Sequence, residues 1–233
     1  MNGAVLERGF FGRAAEVVAP ELLGCVLVHD SPAGTVAAVI VETEAYAGQA
    51  DPASHAYGGQ TARNAVMFGP PGHAYVYFSY GMHFCVNLVC GPAGEASAVL
   101  LRAGRVVAGA ELAAARRCAG RRTAPAFREL ARGPGKLCQA LGIDRGRDGA
   151  DVCAAGSPVR IYGPGAAGPG AAGGLAPAVS RGPRVGISRA AEVAWRFWLA
   201  GDPCVSAYRA SAPRRRRAKP VTAGDPSGGT MHQ

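Results

Sequence analysis

The strongest constraint on this chain is a pattern that recurs between residues 25 and 107: short apolar, β-branched runs broken by turn residues. CVLVH (25–29) meets the turn SPAG (31–34) and is followed by TVAAVIVETEAY (35–46). HAYVYFSY (73–80) turns at Gly81-Met82 and returns as HFCVNLVC (83–90), and ASAVLLRAGRVV (96–107) comes next. Runs of this kind read as strands. Connections of only a few residues join them antiparallel, because a parallel pair needs a crossover of about a dozen residues or more. Helical composition sits outside these runs: one or two short helices within 4–19, GAELAAARRCAG (109–120), and a helix entered from a loop in 130–143. VRIYG (159–163) and RVGISRA (184–190) read as two further strands, and residues 190–206 bring two Trp and a Phe back onto the body. The expected fold is α+β, a single domain with a mainly antiparallel sheet flanked by helices.

A chain of 233 residues is long enough to bury a core and short enough for one domain. The domain is expected over 1–211. A basic tail, PRRRRAKP onward within 212–233, is expected to be disordered, and GPGAAGPGAAGGLAPAVSRGP (163–183) reads as a low-complexity loop to which no regular structure is assigned. The formal charge of +9 points to a polyanionic partner such as nucleic acid. Only Lys136 and Lys219 of the 25 basic side chains are lysines, so a genomic bias toward arginine accounts for the charge equally well. Seven cysteines without a CxxC pair, and no secretory signal at the N-terminus, imply a reducing, cytoplasmic setting. No run approaches the roughly 20 apolar residues of a membrane span, and no ligand spacing fits a metal. No cofactor motif is present: both the GxxxxGK[ST] phosphate loop and the GxSxG nucleophile elbow are missing, as are helix-turn-helix and zinc-finger patterns.

Chemistry concentrates in residues 41–87. Glu42, Glu44 and Tyr46 fall on one face of a strand, because side chains alternate with a period of two. A carboxylate leaving a buried strand into a loop rich in Tyr and His is placed as a general base would be, although an ion pair with an arginine explains it as well. Arg102, at the end of SAVLLR, either orients such a carboxylate and a water or simply pairs with Glu42. Asn87 lies in an apolar strand and must be hydrogen-bonded, to backbone or to something in a pocket. His55 and Tyr57 sit in the long Gly-rich loop 47–73, and loops of that length inside a domain are usually functional or disordered. Tyr75 and Tyr77 share a strand face. Tyr80 precedes Gly81 at a hairpin tip, where an exposed aromatic suits a wedge or stacking residue. Lys136 stands at a helix start behind ARGPG, fit for phosphate or for plain solvent.

ETEAY, HAYGGQTARN, MFGPPGHAYVYFSYGMHFCVN, LLRA, RGPGKLCQALGI and GPRVGIS occur in an order that resembles the alkyladenine (3-methyladenine) DNA glycosylase family, over roughly residues 10–210. The resemblance does not extend to the Gly/Ala/Pro stretch or the Arg-rich tail. It implies a monofunctional enzyme, acting as a monomer on double-stranded DNA, that flips out alkylated or deaminated purines and hydrolyses their N-glycosidic bond. By that resemblance Glu44 is the general base, and Arg102 with the backbone near Val185 helps hold the water. Tyr46, His55 and Tyr77 sandwich the base, Asn87 lies beside it, Tyr80 fills the vacated stack, and the hairpin that carries it inserts into DNA. A non-catalytic damaged-DNA-binding module is the rival, but it leaves Glu44 unexplained. A carbohydrate glycosidase needs carboxylates on both sides of a sugar bond, which neighbours on one strand cannot supply.

Overall fold

The structure is a computed structural model and describes residues 3–79, 81–120, 123, 125–168 and 178–211. Two short helices, α1 (Arg8–Phe11) and α2 (Ala15–Glu21), lead into β1 (Val26–Ser31) and β2 (Gly34–Ala47). A long connection holding two single-turn 3-10 helices follows, then the hairpin β3 (Ala74–Ser79) and β4 (His83–Cys90), then β5 (Ser97–Ala108). After α3 (Ala110–Cys118) and α4 (Pro134–Leu141) the chain adds β6 (Val159–Tyr162), β7 (Val179–Gly182) and β8 (Arg196–Leu199). Neighbouring strands run in the order β3-β4-β5-β2-β1-β6, and every pair is antiparallel, as expected of an α+β domain.

The central strand β2 is buried from Val36 to Ala45 because it is covered on both faces and paired on both edges. β5 follows one edge for its whole length. On the other edge β1 pairs up to Val39, and β8 takes over opposite Glu42, Thr43 and Glu44. The register between β2 and β5 slips near this change: Ile40 faces Gly104, Glu42 faces Ala103 and Thr43 faces Leu101. Val41 and Arg102 are therefore extra residues on their strands. Such bulges bend a strand and re-aim its side chains, and here they bring Arg102 over to the two glutamates.

Helices α2 and α4 pack on the sheet, with α3 against α4, and the main core runs from Phe11 and Leu22 through Leu27, Ile40 and Leu101 to Leu137 and Ile161. A second, smaller apolar cluster gathers Ala56, Met67, Tyr75, Val89 and Ala98, with Tyr77 packed against it. This cluster supports the site. Gly48 at the end of β2 has a φ of 60°, and a Cβ there would lie 2.1 Å from the carbonyl oxygen of Glu95. Glycine thus lets the long loop cross close over the β4–β5 connection.

Two expectations are corrected. RVGISRA is not a strand: Arg184–Ala190 is a series of turns, with Gly186 left-handed at a φ of 72° and the Val185 N–H spent on a side chain instead of a ladder. The last hairpin is instead β7 with β8, so VSRG, inside the stretch read as a low-complexity loop, pairs with RFWL. Four-residue strands with mixed burial leave too little periodicity to read. Within the low-complexity stretch, residues 163–168 are described and form turns, whereas 169–177, like the tail 212–233, lie outside the described residues.

Candidate active site

Glu42 and Glu44 are both wholly buried, and Arg102 reaches both. Arg102 Nε donates to Glu42 Oε1 at 2.8 Å, and its Nη1 lies 3.2 Å from Glu44 Oε1. Glu42 also accepts from Arg196 Nε at 2.8 Å, from the Ser206 backbone N–H at 2.8 Å and from the Ser206 hydroxyl at 2.9 Å. Burial pushes the Glu42 carboxyl up, but the Arg102 and Arg196 guanidinium charges and these bonds outweigh it and hold it below the usual carboxylate range. Glu42 is fully occupied and turned inward. Glu44 differs: it accepts from the Tyr46 hydroxyl on Oε2 at 2.8 Å and from the Val185 N–H on Oε1 at 2.7 Å. Tyr46, Arg102 and Val185 all line one pocket, so the Glu44 carboxylate sits directly behind its wall.

That pocket has a volume of about 520 Å³, within the range of sites for flat, drug-sized molecules. The β3–β4 hairpin supplies one side, since Tyr75 faces Asn87 and Tyr77 faces Cys85 across the ladder. Tyr75 and Tyr77 stack with centroids 5.5 Å apart, and His55 meets the Tyr77 ring edge-on at 4.5 Å. Tyr75 is buried and its hydroxyl is 3.3 Å from His55 Nδ1. Burial against these rings lowers the His55 pKa, and the charge of Arg63 lowers it further, although the outer side of the ring is open to solvent. Asn87 is buried beside the pocket, its Nδ2 donating to the Tyr75 carbonyl at 3.1 Å. Burial also raises the hydroxyl pKa of Tyr46, helped by the Glu44 charge and its hydrogen bond, so the phenol stays a donor.

The structure thus brings Glu44, Arg102, Tyr46, His55, Tyr77 and Asn87 to one place. Lys136 stands apart, in the first turn of α4, half-exposed and bonded to Glu129 Oε2 at 2.8 Å. With Arg132 it holds the Glu129 carboxyl down to about 2. Tyr80 lies outside the described residues; its hairpin neighbours Phe78 and Met82 are exposed.

Reading the sequence missed Arg184 and Asp51. Arg184 is among the largest fully buried side chains of the described residues, and it forms a two-pronged ion pair with Asp51. It also donates to the Ala45 carbonyl at 2.9 Å, which fixes the turn that aims the Val185 N–H at Glu44. Its place in the GPRVGIS block was the one available signal, and nothing local tells that this arginine is buried and its neighbours are not.

An enclosed carboxylate behind an aromatic pocket, on a small antiparallel α+β domain, is the arrangement of an enzyme site. A family model described as "Methylpurine-DNA glycosylase (MPG)" matches residues 9–203, and the chain belongs to that family. It is therefore a DNA glycosylase, a hydrolase of N-glycosidic bonds, with DNA as its partner. It is 53% identical over 216 residues to a Streptomyces avermitilis protein named "Putative 3-methyladenine DNA glycosylase", covering 91% of this chain and 95% of the relative. Proteins of the same name from Frankia casuarinae and Methanocella arvoryzae are 51% and 47% identical, covering 89% and 87% of this chain and 94% and 96% of theirs. No helix among the described residues is long and apolar enough to cross a membrane.

Proposed function

We propose that the protein, acting as a monomer, flips alkylated or deaminated purines of the 3-methyladenine, 7-methylguanine and hypoxanthine class out of duplex DNA and hydrolyses their N-glycosidic bond. The observation that carries this reading is Glu44, buried behind an aromatic-lined pocket and held from three sides by Tyr46, Val185 and Arg102. A base inside a duplex is out of reach, so extrusion at a cost of a few kcal/mol precedes chemistry. Tyr80 offsets part of that cost by stacking in the vacated space, and Lys136 contacts the backbone, exchanging Glu129 for phosphate.

In the pocket the base lies among Tyr46, His55 and Tyr77, with Asn87 limiting its bulk. Of the three donors to Glu44, the Tyr46 hydroxyl is the one that yields its place to water, while the Tyr46 ring stays against the base. Glu44 takes a proton from that water as its oxygen bonds to the anomeric carbon. The carbon–nitrogen pair leaves with the purine, while Arg102 and the Val185 region keep the carboxylate and water aligned. A methylated, cationic purine departs neutral; hypoxanthine needs a proton as it leaves.

The test is release of free base from duplexes carrying a methylated purine or hypoxanthine, incubated with the purified protein. Release leaving an abasic strand is expected. Tight binding to both duplexes without release from either would make the protein a damage-binding module instead.

A further inference from the structure

Tyr46 has two faces in different surroundings. The ring lines the pocket, while Arg184, which does not line it, lies with its guanidinium carbon 4.7 Å from the Tyr46 centroid. The cation therefore covers the face turned away from the pocket. The Trp195 ring also lies against the guanidinium, its centroid 5.3 Å away, and Asp51 and the Ala45 carbonyl take its Nη groups. Arg184 Nε is buried and finds no acceptor among the described residues. A buried guanidinium that leaves one N–H unmatched beside two rings is held there by the rings as well as by the carboxylate.

The negative quadrupole of an aromatic ring attracts a cation on either face. A guanidinium on one face draws on that density and adds Coulomb repulsion to a second cation on the other, weakly screened at a buried site. Asp51 cancels the net charge but leaves the positive end of the pair against the ring. We propose that Arg184, paired with Asp51 behind Tyr46, weakens the pocket's preference for positively charged purines and so opens it to neutral ones. The proposal rests on the reading that the extruded base lies against Tyr46. Arg184 acts here through Tyr46 and sets specificity without touching the substrate.

The experiment compares two lesions of one shape and different charge: cationic 7-methylguanine and neutral 7-methyl-7-deazaguanine, placed in the same duplex. Dissociation constants are measured in a Glu44→Gln background so that no base is excised, and the neutral-to-cationic ratio of those constants gives the charge preference. Asp51→Asn leaves the Arg184 charge unbalanced, and the preference for the cation should fall about fivefold. Asp51→Asn combined with Arg184→Gln removes both charges, and the preference should rise about threefold above the parent. Each ratio is taken on a single preparation, so partial unfolding cancels, and the single variant decides the matter if the double one is insoluble. Ratios within 1.5-fold of the parent, or a shift of the same sign in both variants, would overturn the proposal and leave Arg184 a purely structural clamp. A parent that binds neither modified duplex better than an unmodified one would instead refute the pocket reading itself.

Discussion

Replacing Glu44 by glutamine removes a proton acceptor and little else. Oε1 can keep both the Val185 N–H and Arg102, and only the Tyr46 hydroxyl must reverse, to accept from the new amide. The buried group of Glu42, Glu44, Arg102 and Arg196 is balanced, two charges against two, so the substitution leaves one positive charge in excess. On a DNA-binding protein that excess does not weaken binding. The stability cost is that of leaving one buried charge uncompensated, about 3–5 kcal/mol, or a drop in Tm of roughly 2–4 °C per kcal/mol for a chain of this size. A native domain has about 5–15 kcal/mol to lose, so Glu44→Gln stays folded. Excision should fall by about 100-fold or more, the scale of a lost general base. The assay is single-turnover release of methylated base with enzyme in excess, with circular dichroism and lesion-duplex binding measured on the same sample. Excision within a few-fold of wild type, by protein that is folded and binds, would remove Glu44 from the mechanism.

Three further outcomes are expected. Tyr80→Ser should weaken capture of a lesion in paired DNA more than in a mismatch, where extrusion is already cheap; equal losses on both would make Tyr80 a core residue. Borohydride should trap no protein–DNA adduct, since Lys136 stays protonated against Glu129 or a DNA phosphate and the activating group is a carboxylate; a lysine-dependent adduct formed at the excision rate would reverse this. Acid should destabilise the fold in two stages. His29 is buried on the Leu141 carbonyl, and burial lowers its pKa, so its contribution is lost as pH falls below about 6.5, where only the unfolded chain takes up the proton. In Asp51, burial raises the carboxyl but the Arg184 bonds outweigh it, and Glu42 is likewise held low, so their contribution is complete above about pH 4.5 and lost as pH falls through the folded values. Thermal unfolding from pH 8 to 3 should show both declines, and a Tm that rises on acidification would contradict the assignment.

The strands from β1 to β5 were legible because each is long, β-branched and bounded by turn residues, and because short turns leave only antiparallel pairing. Glu44, Tyr46, Tyr77 and Asn87 were legible for a related reason: they are polar or aromatic residues in or at the end of apolar strands, where burial without a purpose is costly. The β7–β8 hairpin was not: VSRG and RFWL lack the clean alternation that made VRIY readable, and they owe their pairing to the exposed edge of β2 beside Glu42.

Local pattern set the strands from β1 to β5 and marked which side chains had chemistry to offer, because side-chain alternation and turn preference are local properties. On the strand face alone Glu42 and Glu44 are equivalent, the choice of Glu44 came from the family resemblance, and Arg184 had no part. Only the tertiary structure separated them. The slip between β2 and β5 and the arrival of β8 wrap Glu42 in Arg102, Arg196 and Ser206, while Glu44 is left facing the pocket wall. Arg184 acquires its place from Asp51, 133 positions away, and from two rings on other segments. Burial and charge pairing depend on what the rest of the chain brings alongside, and no local pattern records that.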